Sequence, residues 1–145
     1  GMLGASIPVF TAVIAAAAHG HVPARVHALG IAVGAVGIVL LGLPAGGMAH
    51  FELAAGRVAK AVTHRSVDEL WFVLAGRGQM WRRQGEREEV VALEPGVCLS
   101  IPLGTHFQFR ASATEAVSAV AITMPPWPGE AEAVPVQGPW PASGD

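Results

Sequence analysis

Cysteine is nearly absent. Cys98 is the only one in 145 residues, so no internal disulfide can form and zinc sites built on paired thiolates are excluded. Charge is scarce too, at 14% of residues, where soluble domains usually carry roughly 25%. With 9 basic and 11 acidic side chains the formal net charge is −2. That leaves no basic footprint for a phosphate backbone, and nucleic acid is not expected as a partner. No Lys or Arg precedes the apolar stretch at 5–18, so the positive leader of a signal peptide is missing and a cytoplasmic location is expected. No serine–histidine–aspartate or cysteine–histidine constellation stands out, and the glycines of Gly76-Arg77-Gly78 open no helix, as a phosphate loop would.

What the chain has in plenty is apolar residues, 52%, and glycine, 18 residues. The few charges are unevenly spread, since Arg25 is the only one in the first 51 positions. Residues 28–43 are an unbroken apolar and glycine run of sixteen, short of the roughly 20 that cross a bilayer as a helix. Gly30, Gly34, Gly37 and Gly42 interrupt it, and Leu29, Ile31 and Val33 alternate with small residues. Period two reads as strand, and Val36 to Leu43 suits a strand buried on both faces. A membrane-tethered protein using residues 5–43 is the competing reading. His19-Gly20-His21 lies in a polar break and reads as a turn. The expected division is an apolar arm over 1–28, a barrel over 29–124 with its core at 46–124, and a tail over 125–145. The tail holds six of the eleven prolines, with Trp127 and Trp140 between them. Such a segment is neither helix nor central strand. It suits a strap across an apolar surface of its own barrel or of a neighbouring subunit.

From His50 to Met124, short apolar runs alternate with turn signals every 8 to 12 residues or so, the pattern of an all-β sandwich or barrel. Strands are expected at 50–53, 58–64, 70–74, 79–83, 89–93, 97–101, 107–110 and 116–124, about nine with 36–43 included. Gln84-Gly85-Glu86 reads as a hairpin loop. Arg77, Arg82, Arg83 and Arg87 alternate with Glu86, Glu88 and Glu89 around that hairpin, which reads as a solvated face of cross-strand pairs.

The spacing within this stretch resembles the two motifs of the cupin family. Gly56, five residues, Val62, Thr63, His64, four residues, Glu69, six residues and Gly76 keep every interval of the first motif, with Val62 where its first histidine belongs. Gly96, Pro102 and Gly104 keep the second, with Phe107 in the histidine place and Ala111 in the asparagine place. The resemblance implies a small jelly-roll barrel, a double-stranded β-helix. In metal-binding cupins three histidines and the glutamate converge on one divalent ion, so the resemblance implies His64 and Glu69 as two retained ligands of Ni, Zn, Fe or Mn.

A third ligand must come from elsewhere. His106, one residue ahead of the motif position, serves if its turn is one residue tighter, at the cost of turning Phe107 and Phe109 outward. The preferred register keeps those two phenylalanines inward. His50 projects with Glu52, on a face the sequence does not settle. The expected pocket is lined by Trp71, Phe107, Val62 and His50 and takes a small molecule, through a metal or without one. A non-catalytic, metal-free binding or structural cupin is the alternative, since fold does not determine function. Excess apolar content and the Pro/Trp tail point to a homodimer, with Trp127 and Trp140 as anchors.

Overall fold

The computed structural model describes residues 38–143. The arm at 1–28, the His19–His21 turn and the strand reading of 29–37 lie outside them. Ten strands form two five-stranded antiparallel sheets, with no α-helix among the described residues. The strands are β1 (Ile38–Leu43), β2 (Gly46–Leu53), β3 (Val62–His64), β4 (Asp68–Gly76), β5 (Gly78–Gln84), β6 (Arg87–Leu93), β7 (Cys98–Ile101), β8 (His106–Ala111), β9 (Val117–Met124) and β10 (Ala133–Pro135). One sheet runs β1-β2-β9-β4-β7 and the other β10-β3-β8-β5-β6. This is the all-β jelly roll that the turn spacing predicts. Residues 38–43, part of the run weighed as a membrane segment, pair as a strand with β2. No helix among the described residues is long and apolar enough to cross a membrane.

Alternation decides which side chains meet between the sheets. On β4, Glu69, Trp71 and Val73 are buried while Leu70, Phe72 and Leu74 are exposed. Phe51, Trp71 and Phe109 form an aromatic centre, with ring centroids 4.5 Å apart for Phe51–Trp71 and 5.0 Å for Trp71–Phe109. Met80, Leu93, Ile101 and Val117 pack around it and are completely buried. Burying such aliphatic chains contributes about 1.5–3 kcal/mol each. The β5–β6 hairpin closes with Gln84 opposite Arg87 and Gly85 at φ 60°. The cross-strand pairing read from its charges is present as Arg82–Glu89 at 2.6 Å.

The four motif glycines, Gly56, Gly76, Gly96 and Gly104, all take positive φ, between 72° and 89°. The motif spacing therefore records a backbone requirement as well as a site.

The tail crosses its own barrel. After the Met124–Pro125 bond it passes through a 3-10 turn at Glu130–Glu132, then adds β10 beside β3 with Ala133 opposite His64. Farther on, the Gln108 side chain donates to the Trp140 carbonyl at 2.8 Å and accepts from the Trp140 N–H at 3.1 Å. The Arg110 guanidinium lies 4.3 Å from the Trp140 ring centre. Gln108 faces away from the barrel interior and is nonetheless buried to 1% exposure. A Cβ at Gly138 would strike Gln108 and Ala61, so the strap fits closely. Both tail tryptophans rest on their own chain, as ring contacts to His64 and Arg110 show.

Candidate functional site

His64 ends β3 and Glu69 is the second residue of β4, so the short turn between them returns both side chains to the barrel interior. His64 Nδ1 lies 3.7 Å from Glu69 Oε2, beyond hydrogen-bond distance. Both residues are buried, at 6% and 8% exposure. Phe107 packs edge-on against the imidazole with centroids 5.1 Å apart, and Trp127 of the tail does the same at 5.2 Å. Thr123 stands opposite Glu69 in the β4–β9 ladder, and Trp71 follows Glu69 on the same face.

Three buried polar atoms here have no hydrogen-bond partner: His64 Nδ1, Trp71 Nε1 and Thr123 Oγ1. Burial pushes the Glu69 carboxyl up to about 7, and the Trp71 indole N–H offsets part of that rise without reaching full hydrogen-bond geometry. Burial also lowers the His64 imidazole, with the Glu132 charge acting in the opposite sense.

Glu132 is the residue the sequence reading missed. It lies in the 3-10 turn of the tail, buried to 4% exposure, and accepts from Ser66 N at 2.6 Å, Ser66 Oγ at 2.9 Å and Val67 N at 3.1 Å. Burial alone would raise its carboxyl, but these hydrogen bonds outweigh that and hold it below the ordinary value. It locks the turn that carries His64 toward Glu69. One of two Glu residues in a proline-rich tail gives no sequence signal of this.

The other expected site residues fall elsewhere. Val62 faces the interior opposite Phe107, and neither can coordinate a metal. His106 projects from the opposite side of β8, where its Nδ1 meets an Arg83 guanidinium nitrogen at 3.1 Å. The turn before it is not tightened, and Phe107 and Phe109 stay inside. His50 lies on the outer face of its sheet, with Nε2 2.8 Å from Ser118 Oγ, because Phe51 and Leu53 take the core side of β2. Neither histidine joins the pair.

Two donors, one imidazole and one carboxylate, therefore remain where the family's metal site has four. Among the described residues no group of three or more His, Cys, Asp or Glu could hold a metal ion. Two protein ligands seldom hold a divalent ion, and these residues do not fit a resident metal.

The two-sheet antiparallel barrel, with a buried His–Glu pair at one end, is the double-stranded β-helix class. A cupin-domain family model matches residues 49–123. The chain belongs to the cupin family. A search of curated protein sequences returned no match. Among solved structures, a cupin protein from Bacteroides fragilis aligns over 60% of this chain and 75% of its own at 22% identity, with a TM-score of 0.53. A double-stranded β-helix protein from Klebsiella pneumoniae aligns over 64% and 79% at 17% identity and a TM-score of 0.56. A single-substitution variant of oxalate decarboxylase from Bacillus subtilis aligns at 12% identity and a TM-score of 0.59 over 64% of this chain. Only 24% of the decarboxylase is covered, as is 24% of hazelnut vicilin. At these identities the likeness concerns the fold.

Proposed function

We propose that the barrel binds a small polar molecule directly through protein groups around His64 and Glu69, without a resident metal. The observation that carries this reading is the set of three orphaned polar atoms around Glu69, His64 Nδ1, Trp71 Nε1 and Thr123 Oγ1. Each such group costs roughly 1–3 kcal/mol when it is left without a partner. A fold keeps several in one place when something else satisfies them. The indole can only donate, whereas the Thr123 hydroxyl and the imidazole can donate or accept. The complementary ligand therefore carries acceptors beside a donor, as a hydroxy acid or a small amide does.

Elemental analysis of the purified protein should find substoichiometric Ni, Mn, Fe and Zn, and a panel of small hydroxy acids and amides should contain a compound that raises its melting temperature. His64→Ala and Glu69→Gln should abolish that rise. A stoichiometric metal that His64→Ala loses would overturn the metal-free reading.

We also propose that two copies pair through the outer face of the first sheet. Met48, Leu70, Phe72, Leu74 and Ile122 are exposed there at 40–45%. Large apolar side chains gathered on one sheet face mark an interaction surface. Among the described residues the only charged side chains on it, Glu52 and Asp68, sit at its margins, so a two-fold copy complements it better than a charged partner. Sedimentation should give about twice 14.9 kDa, and Phe72→Glu should give the monomer. A monomeric wild type would rule the pairing out.

A further inference from the structure

His64 is walled by two aromatic rings of different standing. Phe107 sits within β8, buried, and is held by the ladders to β3 and β5. Trp127 is half-buried and rides on residues 125–129. Pro125, Pro126 and Pro128 have no N–H to donate, and no hydrogen bond ties 125–128 to the rest of the described chain. The strap is fastened firmly on both sides of this span. Upstream, the β9 ladder runs through Met124 opposite Asp68. Downstream, Glu132 takes its three hydrogen bonds and β10 pairs with β3. A short loop between two fixed posts thus holds one large side chain over an imidazole whose Nδ1 has no partner.

We propose that Trp127 is the gate of the barrel site. Ligand reaches His64 and Glu69 when residues 125–129 swing the indole outward, while the posts at Met124 and Glu132 and the Gln108–Trp140 clamp stay fastened. The inference rests on the ligand-binding reading above. Ring contacts without a hydrogen bond suit a gate, because they close the site yet leave no directional bond to break on opening. Gly129, at φ 136°, gives the loop a glycine joint on its downstream side.

The test is the rate at which diethyl pyrocarbonate labels each histidine of the full chain, read by mass spectrometry, with His106 on the outer face of the second sheet as internal reference. In the wild type His64 should react far more slowly than His106. Trp127→Ala should raise the His64 rate about ten-fold or more with the reference rate unchanged, and Trp140→Ala should leave the His64 rate unchanged. Trp127→Leu makes the same comparison if Trp127→Ala loses its cooperative melt. A His64 as reactive as His106 in the wild type would overturn the gate, as would protection that persists without the indole. A rise in Trp140→Ala equal to that in Trp127→Ala would overturn it too, by making the whole strap the moving part. Labelling needs no ligand. If His64 becomes reactive in Trp127→Ala and still no compound binds, the gate stands and the ligand reading falls.

Discussion

Gly76→Ala is expected to abolish the cooperative fold. Gly76 ends β4 at φ 80°, in the left-handed region that a side chain disfavours by roughly 1–2 kcal/mol. Space is the larger obstacle. A Cβ at this position would overlap the Ala116 carbonyl oxygen and lie 2.7 Å from its carbon. Both are backbone atoms of the residue just before β9, and Gly76 pairs with Val117 in the β4–β9 ladder. Relief requires pulling apart two central strands of the sheet that carries Glu69. The expected loss exceeds about 4 kcal/mol, a large share of the 5–15 kcal/mol that holds a domain together. Gly85→Ala is the control. It also has positive φ, but nothing lies within 4 Å of its Cβ position, and the cost should be about 1 kcal/mol. Urea melts followed by circular dichroism separate the two, and near-equal midpoints for both variants would refute the argument.

Glu69→Gln should stabilise the protein at alkaline pH and not at acid pH. Burial raises the Glu69 carboxyl from 4.5 to about 7, so between those values the folded state holds a proton that the unfolded chain has released. The stabilising contribution is present below the unfolded value and is lost as pH rises through about 7. Its full span is on the order of 3 kcal/mol. The variant should therefore gain roughly 2–3 kcal/mol over the wild type near pH 8 and little near pH 5. His64 works the other way. Its imidazole is lowered from 6.5 by burial, so its contribution is present above that value and lost as pH falls below it. In the wild type the two slopes oppose each other on the acid side. Removing the carboxyl should expose the His64 slope as a steeper acid loss. A pH-independent difference between variant and wild type would show that Glu69 is not held neutral by the fold.

How much was legible follows from the range of each signal. Period two and the turn glycines report only the chain a few residues either way, and that suffices to place strands. Hence each of β1 to β9 overlaps an expected strand, although β2 starts at Gly46, four residues before the expected His50, and the hairpin closes at Gly85-Glu86. Parity also put Phe107 and Phe109 inside, because a one-residue slip would have turned a row of aromatic rings to water. The start of β3 was read four residues early, at Val58. There the chain makes only an isolated bridge to Arg110, and the tail pairs with it through Ser143. Alternation could not show that competition.

The sequence by itself determined the strand order along the chain, the inward Phe107–Phe109 row of β8, and the retention of only His64 and Glu69 from the family's metal motif. Tertiary structure decided what covers each face. His50 turned outward because Phe51 and Leu53 bury more apolar surface on the inner side of β2. Glu132 reaches Ser66 across 66 positions of chain, and Trp127 reaches His64 across 63. Proline denies the tail any periodicity, and β10 is only three residues long, so nothing local marks where the tail docks. Its position is fixed by the sum of one capping carboxylate, one short ladder and the Gln108–Trp140 clamp. Those contacts exist only after the barrel has formed, because only the closed barrel brings their distant partners to one surface.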